Sequence, residues 1–527
     1  MLRLAAREAD GTIINWLSPE DVKRVASVVR DAAGGEPKEI VARIFVCPSE
    51  NTEAVRSAAR FAIAAYLNVP VYAAFHAWLG RGDELRGMWD AWQAGDRKAA
   101  LAAIPDSVVD EEGSLERAAR ADVTLPFGGV PLGVKELDMV TGWPDTEASL
   151  VFADRVATET SIPVERITQR GGAVALGLTT ASEFGGVNLT RTHLNGATSN
   201  PWDPSRTPGG SSGGSAAGVA GGLFTLATGG DGGGSIRIPA GFTGLVGLKS
   251  TYGRIPRGPR VQYGNLTVTV GCLTRSVRDT ARWFDAANGH DARDPLSLPP
   301  VDGWERGLGT VGVRGLRGAV VPDWGGAVVS PAMWEVLLES AEHLIKSAGL
   351  VRVDGVDTSL PRMGAAWSIS GNLGVAALLG DRWPACAEQL TPEMRAGMEM
   401  ASGLYNAEAR GRLEERRALF NERMAQILDE VDLVITASNP DVAFDAEGPL
   451  PGTFGGVKAG ARNNGVLTFP CNLHGNPGIS VPAGAVDGLP VGLQIIGRHF
   501  SEPVLLELAL LLERERPWPL VAPGSPL

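Results

Sequence analysis

A run of glycine and serine in the middle of the chain constrains the fold more than any other segment. Residues 207–241 read TPGGSSGGSAAGVAGGLFTLATGGDGGGSIRIPAG. A flexible glycine–serine linker lacks apolar anchors, whereas Val219, Phe224 and Leu226 lie inside this run. The run is therefore predicted to fold into two tight turns, GGSSGG and GGDGGGS, joined by a small-residue helix over about residues 215–227.

Tight glycine turns can serve chemistry by presenting backbone N–H groups. Without Cβ atoms, successive N–H groups can point into one concavity that binds a phosphate or a developing oxyanion. The phosphate-binding version needs the pattern GxxxxGK[ST], and Lys249 in GLKS lacks that spacing. The oxyanion version needs a nucleophile at the end of the turn, and Ser235 ends the turn GGGS. The pattern favours acyl transfer with Ser235 as the nucleophile.

A serine hydroxyl needs a base, and the residues leave two kinds of base open. One is a histidine, as in a Ser-His-Asp α/β-hydrolase, with Ser211 or Ser212 as the nucleophile of a GxSxG turn. The other is a buried lysine, whose lowered pKa leaves it neutral. Lys135, at the end of the apolar run VPLGV, is the candidate. Four histidines follow both serines: His290, His343, His474 and His499.

Alternating strand and helix patterns run along the whole chain. Residues 11–17 and 39–47 are predicted strands, each followed by a helix, the second of them over residues 52–67. Further along, the apolar positions of residues 331–348 recur with a period of 3.6, which is typical of a helix. Strands that alternate with helices predict a layered α/β fold.

Six motifs carry a resemblance to a known family. They are GVPLGVKELDMVTGWPDTEAS, NPWDPSRTPGGSSGGSAAGVAGG, DGGGSIRIPA, GLVGLKSTYGR, FPCNLHGNPGISVPAG and LPVGLQIIGR. Together they resemble the amidase signature family of serine hydrolases, over about residues 113–527. Ser211 and Ser235 are 24 residues apart, which is the family's spacing between its two catalytic serines. The resemblance implies an α/β fold with a mixed β-sheet core covered by helices on both faces.

The same resemblance implies a Ser-Ser-Lys relay. Ser235 is implied as the nucleophile, Ser211 as the cis-peptide residue that relays the proton, and Lys135 as the base. The activity implied is hydrolysis of a carboxylic amide to an acid and an amine or ammonia, through an acyl-enzyme and without a metal or cofactor. Residues 355–465 are expected to supply the loops of the substrate pocket.

Other residues of the implied site surround the nucleophile. The backbone N–H groups of Gly232, Gly233, Gly234 and Ser235 are implied as the oxyanion hole. The supporting residues are Asp231 and Arg237, as structural partners that fix the turn, and Ser212, as a hydrogen-bond donor or a plain turn residue.

The first part of the chain resembles a different family. The segments ADGTIINWLSPEDV, EIVARIFVCPSE and AAYLNVPVYAAFHAWLG resemble the C-terminal part of luciferase-like, flavin- or deazaflavin-dependent oxidoreductases. Their (β/α)₈ barrel needs roughly 250 residues. Residues 1–110 are therefore predicted to be a βα fragment of such a barrel, without oxidoreductase activity or tight coenzyme binding, and residues 111–527 the amidase signature domain. Two alternative interpretations of residues 1–110 remain. They are a fragment that results from an internal start codon, or helices that simply replace the missing amidase helices.

Charge and cysteine usage limit the remaining function classes. The net charge of −12 disfavours nucleic acid as a partner, because an acidic chain repels phosphates. The four cysteines are scattered, which indicates neither a disulfide scaffold nor a zinc site. We expect a cytoplasmic protein without a signal peptide or membrane span, acting on a small-molecule amide; a homodimer is left open.

Two further hypotheses remain open beside the amidase. One is a catalytically impaired fusion or scaffold protein. The other, a glutamine-dependent transfer RNA amidotransferase subunit, is disfavoured, since Ile238 stands where that subgroup usually carries glutamine.

Deleting residues 1–110 is expected to lower the melting temperature or cause aggregation. The amidase portion lacks its family's leading helices and the N-terminal portion cannot close a barrel, so each leaves apolar surface to cover, and large exposed patches are uncommon on soluble monomers. The expected interface would bury at least about 600 Å². Thermal unfolding of the full chain and of the deletion variant checks this. A soluble, equally stable and fully active deletion variant would show that the two parts are independent.

Overall fold

The computed structural model describes residues 2–9, 11–15, 19–34, 38–43, 52–105, 121–261, 264, 266–363, 365–404 and 406–523. The chain divides into two compact units, Met1–Val130 with Gly172–Val174, and Pro131–Gly171 with Ala175–Leu527. The domain boundary predicted between residues 110 and 111 lies outside the described residues.

The first unit begins with alternating strands and helices. Its elements are α1 (Leu2–Glu8), β1 (Gly11–Asn15), α2 (Pro19–Ala33), β2 (Glu39–Arg43), α3 (Thr52–Leu67), α4 (Pro70–His76), α5 (Gly82–Gln93) and α6 (Arg97–Ala102), with a π-helical turn, Ala77–Arg81, between α4 and α5. Strands β1 and β2 pair in parallel, from Gly11 opposite Glu39 to Asn15 opposite Arg43. The predicted strand–helix–strand–helix order is confirmed, while the predicted strand ends at Leu17 and Cys47 lie outside the described residues.

Helices α3, α5 and α6 form a small apolar core. Ile63 and Leu67 of α3 cluster with Leu85 and Met88 of α5, and all four are buried. The indole Nε1 of Trp89 donates to the Leu67 carbonyl at 2.8 Å, which joins α5 to the end of α3. These three helices therefore have buried apolar contacts of their own.

The second unit contains the remaining elements, and its strands alternate with helices along most of its length. They are β3 (Pro131–Lys135), α7 (Ile162–Gln169), β4 (Val174–Thr179), β5 (Arg191–Thr192), β6 (Gly196–Ala197), α8 (Gly213–Ala220), β7 (Leu226–Asp231), α9 (Arg237–Thr243), β8 (Val246–Lys249), β9 (Thr269–Thr274), α10 (Val277–Ala287), β10 (Arg317–Val320), α11 (Pro331–Ala348), β11 (Val351–Arg352), α12 (Ala365–Leu379), α13 (Pro392–Leu404), α14 (Ala407–Glu430), β12 (Leu433–Ala437), β13 (Thr453–Phe454), β14 (Val457–Lys458), α15 (Phe469–His474), β15 (Gly478–Val486), β16 (Leu489–Gly497) and α16 (Glu502–Glu515).

Ten strands of the described chain form one mixed sheet, in the order β11-β10-β12-β16-β15-β8-β9-β7-β3-β4. Strand β10 pairs in parallel with β11 and β12, and β3 with β7, while the pairs between β12 and β7 are antiparallel. Every residue of β9, β12 and β16 is buried. Because successive side chains of a strand point to opposite faces, both faces of the sheet are covered there. The predicted mixed sheet with helices on both faces is confirmed.

The glycine–serine run is a packed part of this fold, as predicted, but its helix is shorter. Helix α8 ends at Ala220, and Leu226 begins strand β7, so the prediction of a helix to residue 227 is wrong. Gly222 follows the helix with a φ of +81°, which ends it. Within α8, a Cβ on Gly214 would lie 2.3 Å from the Thr180 backbone nitrogen. Close packing of the helix therefore requires glycine at this position.

Within the described ranges, no single helix is both long and apolar enough to cross a membrane. One sharply bent pair, Ala59–Leu67 and Pro70–Gln93, meets the length and composition requirements together. The same ranges contain no group of three or more His, Cys, Asp and Glu residues placed to hold a metal ion. Cys272, Cys386 and Cys471 are buried free thiols.

Candidate active site

Lys135 is the last residue of β3, an inner strand of the sheet beside β7. Its side chain is almost completely buried, with 2% of the residue exposed. Its backbone N–H donates to the Thr228 Oγ1 at 2.9 Å, and that hydroxyl in turn donates to the Asp138 Oδ2 at 2.6 Å. The pairing of β3 with β7 and the hydrogen bonds of the Thr228 hydroxyl to Lys135 and Asp138 fix the position of the lysine backbone.

The Lys135 ammonium contacts both serines of the GGSSGG turn. Its Nζ donates to the Ser211 Oγ at 2.7 Å and to the Ser212 Oγ at 2.8 Å. Both serines are buried, and the Gly210–Ser211 peptide bond is cis. The structure therefore brings Lys135 together with two adjacent predicted site residues that lie more than seventy positions later in the sequence.

Burial lowers the pKa of Lys135 from 10.5 to about 8, although the nearby Asp138 and Asp231 favour the charged form. Desolvation disfavours an ammonium that lies inside a protein. A lysine with this pKa is neutral in an appreciable fraction of molecules near neutral pH, and neutral lysine can accept a proton. The arrangement can therefore supply a base to the Ser211 hydroxyl.

Ser235 lies in the turn between β7 and α9, at the same cavity as Lys135 and Ser211. Its residue is partly exposed. The Ser235 hydroxyl makes no hydrogen bond to any residue that the structure describes, so the link from Ser235 to Ser211 is not formed here. A partly exposed serine that lines a cavity next to a buried lysine–serine pair is placed to meet a substrate carbonyl.

Asp231 and Arg237 hold the turn that carries Ser235. The Asp231 carboxylate accepts the backbone N–H of Gly234 at 2.8 Å and of Ile236 at 3.2 Å. It also accepts the Arg237 Nε at 3.0 Å and Nη2 at 2.8 Å, and both side chains are fully buried. Burial alone would raise the pKa of Asp231, but the charge and hydrogen bonds of Arg237 outweigh burial and lower that pKa to about 2. The predicted structural role of this pair agrees with these contacts.

Arg237 has further partners that sequence reasoning missed. Its Nη1 donates to the Thr468 carbonyl at 2.7 Å and to the Gln494 Oε1 at 2.6 Å. Its Nη2 donates to the Asn472 Oδ1 at 2.6 Å. Asn472 and Gln494 are buried polar residues within the segments FPCNLH and LPVGLQIIGR. An amide side chain inside a largely apolar segment was the one sequence signal that could have indicated a buried hydrogen-bond partner.

The backbone N–H groups of the turn are only partly available. The Gly234 N–H donates to Asp231, so it is committed to that carboxylate and the prediction that it faces an oxyanion does not fit this geometry. No acceptor among the described residues contacts the N–H groups of Gly232, Gly233 or Ser235. These three groups remain as candidate donors.

The cavity at these residues has a volume of about 330 Å³. Its charged lining includes Asp138, Glu147, Arg257 and Arg260 beside Lys135. The expectation that residues 355–465 form the pocket is wrong for this cavity, because its walls come from segments between residues 135 and 270. Its apolar lining includes Leu137, Met139, Phe184, Val261, Val268 and Val270.

The histidines of the alternative triad lie elsewhere. The His343 Nε2 is 2.8 Å from the Glu515 Oε2, His290 contacts Ser297, and the rings of His474 and His499 lie 4.7 Å apart. None of these histidines lines the cavity that contains Ser235 and Ser211. The described residues therefore do not form a Ser-His-Asp arrangement at this cavity.

Family comparison decides the class of the chain. The family model described as Amidase matches residues 91–506. The chain belongs to the amidase family. As an amidase, it is an enzyme that acts on carbon–nitrogen bonds other than peptide bonds. A second family model, described as Luciferase-like monooxygenase, matches residues 1–116, so the two resemblances seen in the sequence are confirmed.

Individual relatives and solved structures agree with the family. The amidase is 32% identical over 436 residues to a glutamyl-tRNA(Gln) amidotransferase subunit of Methanosarcina acetivorans, covering 76% of this chain and 88% of the relative. It is 34% identical over 427 residues to the subunit with the same name from Chloroflexus aggregans, and the match covers 76% of this chain and 86% of that relative. The structure of a bacterial aryl acylamidase matches with a TM-score of 0.72 and 25% identity, over 77% of this chain and 88% of that one.

Proposed function

We propose that this amidase hydrolyses a carboxylic amide through an acyl-enzyme on Ser235, with Ser211 as the proton bridge and Lys135 as the base. The observation that carries the proposal is the buried Lys135 Nζ, 2.7 Å from the Ser211 Oγ at the cavity that Ser235 also lines. Family membership supports amide hydrolysis, and the geometry supports these roles for the three side chains.

Acylation begins with two proton transfers. Neutral Lys135 accepts the Ser211 proton while Ser211 accepts the Ser235 proton, and the Ser235 Oγ attacks the amide carbonyl carbon. Catalytic hydrogen bonds that are long or absent in a free enzyme commonly tighten in the substrate complex, and the Ser235–Ser211 link is of this kind. The resulting C–O bond creates a tetrahedral oxyanion next to the turn.

The N–H groups of Gly232, Gly233 and Ser235 stabilise that oxyanion. Removing one such donor from an enzyme costs about 3–4 kcal/mol of transition-state stabilisation. The reversed relay then protonates the leaving nitrogen, and the C–N bond breaks to release an amine or ammonia. Water attacks the Ser235 ester by the same route and releases the acid.

A panel of aryl, aliphatic and amino-acid amides tests the proposal. The wild-type enzyme is expected to hydrolyse at least one class, and Ser235→Ala to hydrolyse none of them. The amine or ammonia that is released is measured by chromatography. Equal turnover by the wild type and Ser235→Ala would refute the proposed nucleophile, and a wild type inactive on the whole panel would favour the impaired scaffold.

The pH profile is expected to follow the lysine. Because the relay needs neutral Lys135, kcat/KM for an uncharged amide should rise as pH increases and level off above the lysine pKa of about 8. Initial rates across a buffer series, at constant ionic strength, check this. A kcat/KM that falls as pH rises through about 8 would contradict a lysine base.

Glutamine hydrolysis within an amidotransferase is the second candidate. It is favoured by the relatives named as subunits of glutamyl-tRNA(Gln) amidotransferase. Ile238, the residue that disfavoured this subgroup, packs with Phe242 and Ala443 and does not line the cavity, so it does not separate the two candidates. A glutaminase rate above the rates on all simple amides, increased by added partner proteins, would favour this candidate.

A further inference from the structure

Glu147 lies at the catalytic cavity on an unusual backbone. Glu147 and Ala148 have positive φ values of 52° and 57°, a region that few non-glycine residues adopt. The Glu147 carbonyl accepts the Phe184 N–H at 3.0 Å, and Phe184 also lines the cavity. The loop after β3 is therefore fixed with Glu147 in the cavity wall.

Among the described residues, the Glu147 carboxylate has one weak ionic partner. Arg155 Nη2 lies 3.7 Å from the Glu147 Oε1, which is beyond hydrogen-bond distance. No donor among the described residues hydrogen-bonds to this carboxylate, and 28% of the side chain is exposed. The carboxylate can therefore accept hydrogen bonds from a molecule in the cavity.

Arg155 is held by another acid. Its Nε donates to the Asp145 carbonyl at 2.6 Å and lies 2.9 Å from the Asp145 Oδ2. Its guanidinium also lies over the Phe152 ring, 4.3 Å from the centroid. Because Arg155 is anchored to Asp145, it neutralises Glu147 only partly.

The other charged groups of the cavity wall have closer partners. Asp138 accepts the Thr228 hydroxyl at 2.6 Å. Arg260 donates to Glu159 at 2.6 Å. Arg257, the remaining charge beside Lys135, donates to the Tyr252 hydroxyl at 2.8 Å. Glu147 is thus a lining carboxylate that, unlike Asp138, accepts no hydrogen bond from the described residues.

The surroundings of Glu147 resist its ionisation. Burial raises the pKa of Glu147 to about 7, and Asp145 and Asp138 add to the rise, whereas Arg155 and Lys135 oppose it. A cation brought next to the carboxylate would offset these unfavourable contributions. At Glu147, a cationic ligand therefore gains an interaction that an uncharged ligand lacks, while Lys135, Arg257 and Arg260 line other parts of the cavity.

We infer that Glu147 is a specificity-determining residue that binds the ammonium or guanidinium group of a cationic amide substrate. This inference rests on the proposed function of the same cavity. A charge-assisted hydrogen bond to a partly buried carboxylate discriminates a cation from an uncharged isostere. The substrate class is an amide that carries a protonated amine or guanidine beside the bond to be cleaved.

A matched substrate pair tests this assignment. The substrates are ω-aminoacyl para-nitroanilides of increasing chain length and alkanoyl counterparts with methyl in place of ammonium. N-(ω-aminoalkyl) amides and their N-alkyl counterparts test a cation in the leaving group. For the best chain length, the wild-type kcat/KM ratio of cationic to uncharged substrate is expected to be roughly tenfold or more. Glu147→Gln should bring that ratio close to one.

Glu305→Gln is the control, because Glu305 is a similarly exposed glutamate, with 27% of its side chain exposed, that pairs with Arg282, and neither residue lines the cavity. This variant should keep the wild-type ratio. In the wild type, the kcat/KM ratio of cationic to uncharged substrate should also fall as pH drops below the Glu147 pKa of about 7, because the protonated carboxyl no longer attracts a cation. Protonation of Lys135 lowers the rates of both substrates equally, so it does not change this ratio. A wild-type ratio near one at every chain length, or an unchanged ratio in Glu147→Gln, would overturn the assignment.

Binding separates failure of this inference from failure of the proposed function. Dissociation constants of each pair on Ser235→Ala need no turnover, and the cationic member should bind roughly tenfold more tightly. If binding shows this preference but the wild type cleaves no amide, the assignment stands and the proposed function fails. If the wild type cleaves both members of a pair and neither rates nor binding distinguish them, the assignment alone is wrong.

Discussion

Replacing Lys135 with alanine is expected to lower amide hydrolysis by roughly a thousandfold or more, because Ser211 and Ser235 would lose their base. The chain should remain folded, since burial already opposes the lysine charge, as its lowered pKa of about 8 shows. Initial rates with the best amide of the panel, and circular dichroism of both proteins, provide the measurement. The loss should appear mainly in kcat, because the lysine acts on the nucleophile rather than on the substrate.

The controls for this variant are the four histidines downstream of the serines. Single changes of His290, His343, His474 and His499 to glutamine should leave most of the activity, because none of them lines the cavity. An active Lys135→Ala protein, together with an inactive histidine variant, would refute the Ser-Ser-Lys relay and favour a Ser-His-Asp triad.

Replacing Asp231 with asparagine is expected to lower the free energy of unfolding by about 3–5 kcal/mol, because it leaves the Arg237 guanidinium buried without its counter-ion. The pKa of Asp231 is lowered to about 2, so its contribution is complete above the unfolded pKa of 3.8 and is lost as pH falls towards 2. Activity should fall too, since the carboxylate holds the turn of Ser235. Urea denaturation at neutral pH measures the loss.

Asp354→Asn is the matched control, because Asp354 also pairs with an arginine but its side chain is 76% exposed. Its change in unfolding free energy should stay within about 1 kcal/mol. Equal stability losses in Asp231→Asn and Asp354→Asn would show that the buried pair has no special part in holding the turn.

Sequence motifs were sufficient to name the residues that the structure places at the candidate site. Lys135 ends an apolar run, and Ser211 and Ser235 lie in glycine turns whose separation is typical of the family. The structure places all three at one cavity, as local pattern and resemblance together predicted. The bounds of α11, Pro331–Ala348, also followed from sequence, because a strong 3.6-residue period reflects one buried face.

Tertiary contacts account for what the sequence did not reveal. The Gly234 N–H donates to Asp231, only three residues away, and the contacts of Arg237 with Thr468, Asn472 and Gln494 are distant ones that no local pattern shows. Strand β7 begins at Leu226 because it pairs with β9, more than forty residues later. Glu147 had no signal of its own, since an acidic residue in a polar segment usually faces solvent.

Trapping the acyl-enzyme would identify the nucleophile by its covalent adduct. The enzyme would be mixed with a para-nitrophenyl ester whose acyl group is hydrolysed slowly, quenched in acid, digested and analysed by mass spectrometry. A Ser235 nucleophile predicts one acyl group on the Ser235 hydroxyl in the wild type and none in Ser235→Ala. An acyl group on Ser211 or on another residue, or burst release of nitrophenol without any adduct on Ser235, would contradict it.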